Sequence, residues 1–130
     1  MLLHGWEGRA SDLAAFASPL LKAGYTVLAM DLPAHGASAG QYSSIPQSAR
    51  ALREALGSLY AVVAHSMGAA ILTEALYAGL AVQRAVLISA PAYYESYARS
   101  FAATAGLDAE GTEVMLTLLY DAIDVDVHEI

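Results

Sequence analysis

The 130 residues carry a net charge of -7 with six lysines and arginines, and 57% of them are hydrophobic. No basic run could neutralise a row of phosphates, so a nucleic-acid partner is not expected, and the absence of cysteine excludes a disulfide framework, a thiolate metal site and a cysteine nucleophile. Met1 to Gly5 is too short for a signal-peptide core and no stretch approaches a membrane span, so a cytoplasmic protein is expected, one whose apolar surplus suggests surfaces that meet a partner.

Four apolar runs read as strands in chain order: Met1 to Leu3, Tyr25 to Met30, Leu59 to Ala64 and Arg84 to Ala90. Each is continuously apolar, as parallel strands covered on both faces are. Helical patterns lie between them. Ser11 is a candidate N-cap for a helix with Leu13, Phe16, Ala17, Leu20 and Leu21 on one face, ended by Gly24 and expected to kink or break at Pro19. Ser44-Ile45-Pro46 opens a second helix with Ala49, Leu52 and Leu56 as its stripe, and a third runs from Met67 to about Leu80. The alternation predicts an α/β fold with an open, mostly parallel sheet of about four strands flanked by helices. Beyond Pro91 the rhythm changes to two helices, Tyr93 to Ala105 and Asp108 to Ile123, separated by Gly106. The expected organisation is therefore a core over residues 1–92 and a helical, lid-like segment over 93–130.

The chemistry concentrates at Val62-Val63-Ala64-His65-Ser66-Met67-Gly68-Ala69-Ala70. A serine on a sharp turn between a buried strand and a helix has an exposed hydroxyl, and the next N–H points where negative charge develops during acyl transfer. The turn brings strand and helix nearly into contact, which requires small residues two places either side of the serine. Ala64 and Gly68 occupy those places, followed by Ala69 and Ala70. The pattern departs from G-x-S-x-G by one methyl, at Ala64.

These residues resemble the nucleophile elbow of the α/β-hydrolase superfamily, and three further segments agree in order. Leu2-Leu3-His4-Gly5-Trp6 looks like the family's oxyanion loop, Asp31-Leu32-Pro33-Ala34-His35-Gly36-Ala37-Ser38 resembles its D-x-P-x-H-G-x-S loop, and Ala85 to Pro91 is similar to the strand after the nucleophile helix. The resemblance covers about residues 1 to 92. It implies Ser66 as nucleophile, the N–H groups of Trp6 and Met67 as oxyanion hole, and a strand order of second, first, third, fourth, with a crevice over the first and third. It also implies a serine hydrolase acting on carboxylic esters through an acyl-Ser66 intermediate, a short-chain esterase being the expected activity.

In the family an acid and then a histidine follow the nucleophile, both well downstream of the lid. The chain is accordingly expected to be a truncated member, lacking the family's first strands and its C-terminal acid and histidine half. His128 is the one histidine after Ser66 and the candidate base, preceded by Asp121, Asp124 and Asp126. His65 is expected to point away from Ser66, His4 to brace the oxyanion loop, and His35 to fix its own loop. A substrate pocket is expected near Trp6, His4 and Tyr93. Two readings stay open. One is an esterase completed as a homo-oligomer, through unpaired sheet edges or exchanged helices. The other is a catalytically incomplete pseudo-hydrolase that binds or assembles. No metal and no cofactor are expected, because the histidines are scattered without ligand spacing and no G-x-G-x-x-G follows a strand.

Overall fold

The computed structural model describes residues 1–123, so Asp124, Asp126 and His128 lie outside the described residues. The described chain divides into two compact units, Met1–Ala90 and a second beginning at Pro91.

The first unit is built on β1 (Leu2–Leu3), β2 (Ala29–Met30), β3 (Ser58–His65) and β4 (Ala81–Ile88). All neighbours are parallel, as the strand–helix alternation predicts, and the order is β2-β1-β3-β4, as the resemblance implied. A 3-10 turn (Ala10–Leu13) and α1 (Ala14–Lys22) connect β1 to β2, α2 (Ile45–Ala55) connects β2 to β3, and α3 (Met67–Tyr77) connects β3 to β4. Right-handed crossovers put α1 on one face of the sheet and α2 with α3 on the other.

The core lies on the α2–α3 side. Leu3, Leu32, Leu52, Val62, Ala64, Ile71 and Leu72 form one buried cluster there. Each large aliphatic side chain so buried contributes about 1.5–3 kcal/mol. Ser44 caps α2, accepting the Gln47 N–H at 3.3 Å, and Pro46 in the first turn gives up no helical bond. By contrast, α1 has no buried residue.

The second strand and the first helix differ from expectation in extent. Of Tyr25 to Met30, Ala29 and Met30 alone enter the ladder, because β2's neighbour β1 offers just Leu2 and Leu3 as partners. The Leu28 carbonyl accepts the Leu2 N–H at 2.8 Å, and before that point the Tyr25 ring instead stacks on Tyr60 at 5.7 Å. Nor does the first helix break at Pro19. The change of geometry comes earlier, at the junction of the 3-10 turn with α1, and Pro19 removes a single bond, to Ala15, from a helix that continues to Lys22. Gly24, at φ 88, then ends it with paired bonds from Tyr25 N–H to Leu20 and from Gly24 N–H to Leu21.

In the second unit α4 (Tyr94–Thr104) and α5 (Ala109–Ile123) are joined through Gly106, at φ 79. Arg99 ties the two helices together, donating to Glu95 at 2.7 Å and to Glu113 at 2.6 Å, with Ala102 and Leu116 buried.

Candidate active site at the carboxyl edge of the sheet

Among the described residues, four non-glycine residues have a left-handed backbone: Glu7, Ala34, Ser66 and Ser89. One follows each strand, so all four lie in the loops at the carboxyl edge of the parallel sheet. Such conformations cost an L-residue about 1–2 kcal/mol each and cluster where a fold positions chemistry. The winding direction reverses between β1 and β3, the place where open α/β sheets form a crevice.

Ser66 stands at that place. It is the residue between β3 and α3, with φ 51 and ψ -123, and its N–H is anchored to the Ile88 carbonyl of β4 at 2.8 Å. The turn is as tight as the small-residue pattern demanded. A Cβ on Gly68 would collide with the carbonyl oxygens of His4 and Leu3, and one on Gly5 would sit 3.0 Å from the Ser66 Cβ. The loop after β1 is therefore pressed directly onto the serine. Among the described residues, the N–H groups of Trp6 and Met67 donate to no protein acceptor, and the Ser66 hydroxyl has no hydrogen-bond partner. For Met67, first in α3, a free N–H follows from helix geometry; for Trp6 it is a property of the loop.

Two residues hold that loop. His4 is 1% exposed; its Nδ1–H donates to the Gly5 carbonyl at 2.7 Å and its Nε2 accepts the Leu32 N–H at 3.0 Å. With both nitrogens engaged and almost no exposed surface, His4 braces the loop, and it is not among the residues that line the groove beside Trp6. Asp31 works from the other side, accepting the Ala10 N–H at 2.7 Å and the Ala37 N–H at 2.9 Å, while the Ser38 hydroxyl donates to its carbonyl at 2.7 Å. The N–H groups of Ala37 and then Ala10 hold its carboxyl below the usual carboxylate range.

His35 keeps its own loop, with Nδ1–H donating to the Pro33 carbonyl at 2.9 Å, and its ring lies edge-on to Trp6 at 5.3 Å. His65 is exposed, its Nδ1 on the side of Gly5. Trp6 opens onto a groove of about 480 Å³ lined also by Glu7, Arg9, His35, Tyr42 and Ser43. Tyr93 belongs to the second unit, where it precedes α4 and is exposed. The sequence pointed to Trp6 in this groove but not to Glu7, Arg9, Tyr42 or Ser43, nor to Ser89. None of these sits in a motif; Glu7 and Ser89 stand out by φ alone.

Among the described residues, no group of three histidines or carboxylates could hold a metal ion. Chemically, the arrangement offers a half-buried serine followed by the unused N–H of Met67 and pressed upon by the loop that carries the unused N–H of Trp6, a nucleophile and donors of the kind acyl transfer uses together with a base. Searches of curated proteins and of solved structures return no match. A family model described as the alpha/beta hydrolase family matches residues 1–126, and with the fold and the elbow already seen, the chain belongs to the α/β-hydrolase family.

Proposed function

We propose that this protein is a serine hydrolase acting on carboxylic esters. The observation that carries the reading is the Ser66 backbone: a non-glycine residue held at φ 51 on a strand-to-helix turn, where glycine would be unstrained. The Ser66 Oγ attacks the ester carbonyl carbon while a base takes its proton; His128 is the candidate that the sequence offers for that base. The negative charge that develops on the carbonyl oxygen is met by the N–H groups of Trp6 and Met67, each such donor being worth about 10²–10³ in rate. Collapse of the intermediate expels the alkoxide, which takes the proton from the base, and leaves acyl-Ser66. Water, deprotonated by the same base, then releases the carboxylic acid and restores the serine.

The loop chemistry fits this sequence of steps. An oxyanion donor stabilises a transition state only if it is already in position, and His4 and Asp31 fix the Trp6 loop before substrate arrives. The test compares hydrolysis of p-nitrophenyl acetate by the wild type and by Ser66→Ala, alongside labelling with a fluorophosphonate read by intact mass. We expect one adduct, located on Ser66, and a fall in turnover of roughly a thousandfold or more in the variant. Equal rates for both proteins, with no adduct, would end the proposal.

A further inference from the structure

The groove beside the elbow carries chemistry that Ser66 does not explain. Trp6 links the two: its N–H belongs to the donor pair proposed above, and its indole walls the groove. The groove thus adjoins the loop whose Gly5 is pressed onto Ser66, close enough in the chain for one ligand to address both. The walls are aromatic and unusually wet, Trp6 being 48% and Tyr42 80% exposed. Ring faces left half in water are surfaces on which another flat ring gains by stacking. The charged lining residues, Glu7 and Arg9, are of opposite sign, so the groove favours a neutral occupant over an ion. A volume of about 480 Å³ suits a small molecule of this kind.

His35 adds a polar requirement. Its Nδ1 faces the Pro33 carbonyl at 2.9 Å and so must carry the ring proton, which leaves Nε2 as a lone-pair acceptor. Among the described residues that nitrogen has no donor. We propose that the groove is a subsite for a neutral phenolic ring, stacked on Trp6 and Tyr42 with its hydroxyl donating to His35 Nε2. The natural substrate is then an ester with an aryl group bearing a hydroxyl. This specificity rests on the ester-hydrolase reading, whereas binding of the ring itself needs no nucleophile.

Trp6 is the single tryptophan in the chain, so its emission reports directly on the groove. The full-length protein is titrated with phenol, with anisole, which lacks the donor, and with cyclohexanol, which lacks the ring, under excitation at the red edge of the indole band. Phenol should change Trp6 emission saturably in the wild type and equally in Ser66→Ala. Anisole and cyclohexanol should each bind several-fold more weakly. Tyr42→Ala should weaken phenol binding by roughly three- to tenfold and Tyr42→Phe should not; Tyr42 is so exposed that neither change threatens the fold. No saturable response to phenol, cyclohexanol binding as well as phenol, or indifference to Tyr42→Ala would overturn the subsite. Anisole binding as well as phenol would overturn the role of His35. Since Ser66→Ala retains the groove, failure of the esterase assay leaves these titrations readable, and failed titrations leave the esterase assay readable.

Discussion

Gly68→Ala tests the packing that holds the elbow against the loop after β1. The added methyl would lie 2.7 Å from the Leu3 carbonyl oxygen and closer still to that of His4. Both are backbone atoms, and Leu3 is fully buried in the centre of the sheet, so no rotamer change can make room. Relief requires α3 to move away from β1 by roughly 1 Å to reach ordinary contact distance. Overpacking of this kind costs about 1–3 kcal/mol, and the rigid neighbours place it near the top of that range. Alanine gains at most about 1 kcal/mol over glycine in helix propensity, which sets the sign: a net loss of about 2 kcal/mol. In urea, with a slope near 2 kcal/mol/M, the unfolding midpoint should fall by about 1 M. The same movement carries the Met67 N–H away from that of Trp6, and a displacement of about 1 Å should lower ester turnover roughly a hundredfold. A variant as stable as the wild type with undiminished turnover would refute the close-approach argument. It would mean that α3 yields freely at this point.

Two further perturbations address the loops. Asp31→Asn replaces a carboxylate that accepts two N–H groups with an amide that can accept only one of them. The Asp31 carboxyl is held below its ordinary pKa, so its stabilisation is complete above the ordinary carboxylate range and is lost as pH falls through the lower folded value. The melting-temperature gap between wild type and Asp31→Asn should therefore hold above about pH 5 and narrow steadily as pH falls below it; a gap that stays constant down to about pH 3 would refute the assignment. Ser89→Gly should relieve the left-handed strain at φ 52, offset in part by the greater freedom of glycine in the unfolded chain, for a net gain of about 0.5–1 kcal/mol. Calorimetry should show melting about 3 °C higher, and an unchanged or lower value would mean that the Ser89 side chain makes a compensating interaction.

The elbow was legible because its constraints are local. A tight strand-to-helix turn demands small residues at fixed offsets, and Ala64, Gly68, Ala69 and Ala70 announce it without reference to any distant contact. Strand existence was legible for the same reason, in the apolar runs. Strand extent was not: β2 stops at two residues because a ladder needs a partner at the same level, and hydropathy carries no register. The groove was also hidden, since Arg9 and Tyr42 meet only when the loops after β1 and β2 fold against each other.

By itself the sequence determined a parallel α/β sheet and put a serine at a tight strand-to-helix turn, because period and residue size act within a few positions. Tertiary structure alone decided that His4 is a brace with both nitrogens engaged, that Asp31 ties the 3-10 turn to its own loop, that Gly5 is pressed onto Ser66, and that Trp6 lines a groove. Those are pairings between residues far apart in the chain, and they exist only once the strands set their loops side by side.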